Sequence, residues 1–157
     1  VCTSPWNGHT RCVISASPWS KEDNRPLPFS QFRNKIVIDI TNPFKAQPNN
    51  GDSGAQVTAS IIGEGSRVIA AFKTNFAGTF ENPIDSTAEP REVHYAGDDE
   101  EAMEAVEELI KGIGFKPVDC GTLAQAVVLD HMVPLMIRLD TTELDAQHLS
   151  SFRLIPG

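Results

Sequence analysis

Residues Lys35-Ile36-Val37-Ile38-Asp39-Ile40 form a run of β-branched apolar side chains with no polar alternation until Asp39. A strand with one wet face alternates apolar and polar residues, so this run predicts a strand covered on both sides. Three further runs, at 12–16, 67–72 and 92–96, have strand length and are bounded by Pro, Gly or polar residues. Cover on both faces has to come from helices. The expectation is therefore an α/β chain with a mainly parallel sheet and flanking helices.

The helices read between the strands. Ser53 and Gln56 stand at capping-box spacing before Val57, Ile61 and Ile62, and Gly63 and Gly65 mark the end of that helix. From Asp98 to Gly112 acids crowd the first turn, Lys111 sits in the last, and Ala102, Val106, Leu109 and Ile113 form the apolar stripe. A short strand, Phe115 to Cys120, follows. Gly121-Thr122 opens a last helix from Leu123 towards Leu139, with a kink expected at Pro134. The order is β, β, α, β, β, α, β, α, and 20–34, 45–52 and 73–90 are connections by their Pro, Gly and Asn content.

With 40% hydrophobic and 22% charged residues, the 157-residue chain fits one globular domain spanning 1–157, and coiled-coil and strongly disordered classes are excluded. Its 21 acids against 13 bases give a formal charge of -8, which repels a phosphate backbone, so nucleic acid is not an expected partner. No apolar run approaches the roughly 20 residues that cross a bilayer, and Val1-Cys2-Thr3-Ser4-Pro5-Trp6 has no signal-peptide pattern. A soluble, cytoplasmic location is expected. Cys2, Cys12 and Cys120 are an odd, widely spaced set that suits reduced thiols.

Several motifs have plain structural explanations. Gly63-Glu64-Gly65 and Gly112-Ile113-Gly114 follow helices and precede strands, the reverse of a phosphate-binding turn, and read as helix ends. Gly51-Asp52-Ser53-Gly54 looks like a serine-protease nucleophile segment, but a helix follows it, so Ser53 reads as an N-cap. No two of His9, His94, His131 and His148 stand four apart. Cys2, His9 and Cys12 have no evident fourth partner, so no metal site is expected. The acids of 100–108 read as a solvated helix face. The loops Ser17-Pro18-Trp19, Thr41-Asn42-Pro43 and Lys73-Thr74-Asn75 each follow a strand, where open α/β sheets hold their ligands. They offer hydroxyls and amides, an indole for stacking and one cation.

At these loops the chain resembles the deazaflavin-dependent NADP oxidoreductase family. Residues 35–43 are similar to that family's K-I-V-I-D-x-T-N-P, and Val68 to Thr74 to its V-V-K-A-F-N-T. Tyr95-Ala96-Gly97-Asp98-Asp99 matches its Y-A-G-D-D, Gly114 to Leu123 resembles G-F-x-P-V-D-x-G-P-L, and Ile14 to Trp19 resembles V-L-A-V-P-W. The resemblance covers about 11–139 and leaves 1–10 and 140–157 peripheral. It implies an incomplete Rossmann-like fold, NADP(H) as hydride donor or acceptor, and transfer to a flavin-like or small organic acceptor, in which positioning carries most of the catalysis.

By position, the resemblance puts Ser17, Pro18, Trp19, Thr41, Asn42 and Pro43 on the cofactor side, and Lys73, Thr74 and Asn75 beside the second substrate. Two positions depart from the family: Lys73 replaces an asparagine and Thr122 a proline. No Gly-x-Gly-x-x-Gly turn precedes Cys12, so hydride transfer requires the nucleotide site to be completed from elsewhere. The uncovered sheet edge implies a homo-oligomer, a partner subunit, or residues 1–34 folding back over it. Two further functions stay open. One is a relative without nucleotide binding that binds or isomerises a small molecule with Lys73 as base or anchor; the other is a non-catalytic partner subunit.

Overall fold

The computed structural model describes residues 12–15, 32, 34–44, 51–65, 67–144 and 147–155. One five-stranded sheet organises them, built from β1 (Cys12–Ser15), β2 (Ile36–Asp39), β3 (Arg67–Ala71), β4 (Glu92–Gly97) and β5 (Lys116–Asp119), which lie side by side in chain order. Three helices flank it: α1 (Gly54–Ile62), α2 (Glu100–Gly112) and α3 (Ala126–Leu139). The α/β fold, with an unclosed and mostly parallel sheet, is as the sequence implies.

Side-chain alternation along the strands sorts the core into two layers. Ile36, Ile38, Ile69, Ala71, Val93 and Tyr95 pack with Ala102, Val106 and Ile110 of α2. Val37, Val68 and Ala70 point to the other face and meet Ala55 and Ile62 of α1 and Ala126 of α3, with Phe32 packed alongside. Both faces of β2 and β3 are thus dry, which is why their sequences lack polar alternation. Burying side chains such as Val106 and Ile110, at 1% and 0% exposure, contributes about 1.5–3 kcal/mol each.

The expected parallel course fails at one junction. β1, β2 and β3 are mutually parallel, β4 runs antiparallel to β3, and β5 is parallel to β4. The connection at 73–90 holds only a short 3-10 helix, Ala77–Phe80, and an antiparallel neighbour needs no crossover helix. The reversal also explains the layers. Right-handed crossovers that step the same way across a sheet, from strands of opposite direction, put their helices on opposite faces. Accordingly, α1 covers one face and α2 the other.

Helix ends follow the sequence closely. Ser53 caps α1 in a complete capping box with Gln56, and Gly63, at φ 80°, ends it. Asp99 caps α2 by accepting from the Ala102 amide at 2.8 Å. Thr122 stands before a 3-10 turn, Leu123–Gln125, and α3 itself begins at Ala126 and runs unbroken through Pro134.

Candidate active site

The ends of β2 and β3 and the start of β4 share one rim, because β4 is reversed. Asp39 is the last residue of β2 and is fully buried. Its Oδ1 accepts from the Thr41 amide at 3.0 Å and the Thr41 hydroxyl at 2.8 Å, and its Oδ2 from the Thr58 hydroxyl of α1 at 2.6 Å. At the end of β3, Phe72 takes φ 58°. That conformation is rare for a bulky residue and is held by tight surroundings. The Phe72 ring is fixed against Phe80 and Phe115, at centroid distances of 5.4 and 6.5 Å, and the turn sends Lys73 inward.

Lys73 is the largest fully buried side chain among the described residues, at 1% exposure. Its Nζ donates to the Thr41 carbonyl and, at 3.2 Å, to Asp39 Oδ1. Asp130 Oδ1 of α3 lies 2.8 Å away as an ion pair without hydrogen-bond alignment. Asp130 Oδ2 in turn accepts from the Gly54 amide at the start of α1, at 2.8 Å. One cation thus joins β2, β3, α1 and α3 through two buried carboxylates, with two hydrogen bonds and one ion pair holding Nζ inside the protein. Buried charges are tolerated only when paired in this way.

Lys73 also fixes the neighbouring loop through its backbone, since Asn42 Nδ2 donates to the Lys73 carbonyl at 3.1 Å. Asn75 Nδ2 does the same for the Glu92 carbonyl at 3.0 Å. The Oδ1 of each asparagine is buried and has no partner among the described residues. Thr41 and Pro43 are buried on this wall. Thr74 is buried as well, with its hydroxyl 3.3 Å from His94 Nδ1. Burial pushes the His94 imidazole below its ordinary value, against the pull of nearby Glu92, and so keeps it neutral.

Beside this wall lies a cavity of about 290 Å3, lined by Asn42, Lys73 and Asn75 together with Phe44, Phe76, Ala77, Val133, Met136, Ile137 and His148. A largely apolar hollow with a few polar groups is the usual form of a small-molecule site. The site residues expected from the sequence therefore divide. Asn42, Lys73 and Asn75 reach the cavity; Thr41, Pro43 and Thr74 form its support; Ser17, Pro18 and Trp19 lie outside the described residues, as do Cys2 and His9. No group of three or more potential metal ligands occurs among the described residues. Cys120 is no ready nucleophile, because burial and Asp119 push its thiol up.

Sequence reading missed Asp130, Asp140 and His148. Asp130 carries a signal: it is an acid on the stripe Ala126, Leu129, Val133 and Met136 that α3 buries. The stretch after residue 140, expected to be peripheral, returns to the sheet. Fully buried Asp140 accepts from the His148 amide at 2.7 Å and the Ser150 amide at 3.0 Å. Arg91 Nη1 donates to the Leu149 carbonyl at 2.8 Å, and the Leu154 amide donates to Glu92 Oε2 at 2.9 Å. These bonds bring His148 to the cavity, its ring 5.0 Å from that of Phe76.

No family model matches the chain. Among curated proteins it is 28% identical to the F420-dependent NADP reductase of Methanocaldococcus jannaschii over 124 residues, 70% of this chain and 52% of the relative. It is 29% identical to the enzyme of that name from Methanothermobacter thermautotrophicus, over 70% of this chain and 51% of the relative. Metalloreductase STEAP3 of Rattus norvegicus is 34% identical over 98 residues, 61% of this chain and 19% of that protein. Among solved structures, a putative F420-dependent NADP reductase from Arthrobacter superposes with a TM-score of 0.71 at 24% identity, over 82% of this chain and 61% of the other, a likeness of fold. A hypothetical protein from Sinorhizobium meliloti gives 0.54 at 29% identity, over 62% and 52%. Motifs, sequence identity and fold agree that the chain is homologous to the F420-dependent NADP reductase family, and it spans about half the length of those curated relatives.

Proposed function

We propose that the chain supplies the acceptor-side half of an NADP(H)-linked oxidoreductase site. Its cavity would hold a flavin-like or small organic ring that exchanges hydride with the nicotinamide. The observation that carries this reading is the cavity itself, which lies at the carboxyl ends of β2 and β3, where α/β sheets bind ligands. It is lined by the apolar groups and amides that a planar ring needs. Homology to reductases whose names specify F420 and NADP supports the same chemistry.

In this reading the cofactor would be NADP. Ser17, Pro18, Trp19, Thr41, Asn42 and Pro43 border its nicotinamide side, and Lys73, Thr74 and Asn75 support the acceptor side. Lys73 acts there by holding the Thr41-Asn42 wall, because its ammonium is already bound by Asp39, Asp130 and the Thr41 carbonyl. A second copy of the chain would cover the β1 edge and complete the nucleotide site. The test is oxidation of NADPH by the purified chain with a 5-deazaflavin as acceptor, run across protein concentration. Turnover that grows with assembly is expected. Its absence at every concentration would end the redox reading.

A further inference from the structure

Hydride transfer to a conjugated ring leaves a chemical requirement that the cavity can meet. The C–H bond of the dihydronicotinamide breaks with its electron pair, and a new C–H bond forms on the acceptor. The nicotinamide is oxidised and the acceptor reduced. The pair displaced within the acceptor ends on a ring heteroatom, which must then take a proton.

Few groups around the cavity can give one. Asn42 and Asn75 are amides. Lys73 has a fully buried side chain and three oxygens around its ammonium. His94 is buried, bound to Thr74 and outside the cavity lining. His148 remains. It lines the cavity, and its side chain is 58% exposed, so it can exchange protons with water.

The protein also builds a support for this imidazole. Asp140 Oδ2 lies 3.4 Å from His148 Nδ1 and accepts from the His148 amide as well. A carboxylate beside Nδ1 orients the ring and favours the tautomer with its proton there, which leaves Nε2 for the ligand. Gln147 and His148 both take left-handed backbone conformations, at φ 52° and 64°, which non-glycine residues hold only where surrounding contacts require it. Phe76 packs against the ring.

From this arrangement we infer that His148 is a catalytic residue of the proposed reaction, the acid that protonates the reduced acceptor and takes the proton back in the reverse direction. Asp140 is its positioning residue. The inference rests on the redox reading above, and its test separates the two. NADPH oxidation with a 5-deazaflavin is measured for wild type, His148→Ala and His148→Gln, with and without added imidazole.

The expected result is a fall in kcat of about a hundredfold for both variants, with KM for the deazaflavin within about threefold. Imidazole should partly restore His148→Ala. An unchanged kcat in His148→Ala, or a loss that imidazole does not relieve, overturns the role of His148 while leaving the redox reading in place. A wild-type chain without turnover overturns both.

Discussion

Lys73 and His148 border the same cavity and are built in opposite ways. The sequence singles out Lys73 as the one cation of the rim loops, yet the fold buries it and surrounds its ammonium with Asp39, Asp130 and the Thr41 carbonyl. Nothing in the sequence singles out His148, yet the fold brings it from the far end of the described chain to the cavity and leaves its ring open to water. A charge committed to four structural elements sets geometry. An imidazole whose backbone is held by Asp140 while its ring meets water can exchange protons with a ligand. The difference lies in what each group touches rather than in residue type.

The largest effect should come from breaking the Lys73 side. Lys73→Met leaves Asp39 and Asp130 buried without their cation and should cost about 3–5 kcal/mol in urea unfolding. A loss below 1 kcal/mol would show that the pairing contributes little and would weaken the contrast. Gly54→Ala should act on the same lock, since a Cβ there would lie 2.8 Å from Thr41 Oγ1. About 1–3 kcal/mol is expected from such overpacking.

The His148 side should respond locally. Asp140→Asn removes the charge that accepts from the His148 and Ser150 amides. Amides of 147–150 should exchange hydrogen about tenfold faster, equivalent to about 1.4 kcal/mol, with the core of β2 to β4 unchanged. Equal acceleration throughout would mean that this turn and the sheet are one cooperative unit.

The smallest effect is the pH dependence of stability. Burial lowers His94 from an ordinary value of 6.5, so the unfolded chain binds its proton first. His94's contribution is present above that pH and lost as pH falls through the lowered value. Burial alone would raise Glu92 and Asp140, but Lys116 and the Leu154 amide around Glu92, and Ser150 and the His148 amide around Asp140, outweigh it. Both carboxyls sit below their ordinary values, and their contribution disappears only in stronger acid. Denaturation should thus show a shallow decline below neutrality and a steeper one below about pH 4. His94→Phe should remove the first stage alone.

The layers of the fold were legible because dry strands and capped helices leave local marks: the unalternating run at 35–40, the Ser53 and Gln56 pair, and the acid-rich start of α2. The direction of β4 left none, since a fully buried strand reads the same either way. The rim loops were legible by position, but the state of Lys73 depended on Asp130, an acid 57 positions away on α3 whose buried neighbours are the only hint. The Asp140 and His148 pair depends on two non-glycine residues in left-handed conformation, which no sequence pattern marks.

If this cavity wall belongs to an NADP(H)-linked site, the chain should bind the nucleotide. Calorimetric titration of the chain with NADPH, beside Asn42→Leu, tests it most directly. Saturable binding by the wild type is expected, with binding about tenfold weaker once the Asn42 amide no longer ties the wall to Lys73. No heat of binding, or equal affinity in the two proteins, would contradict it.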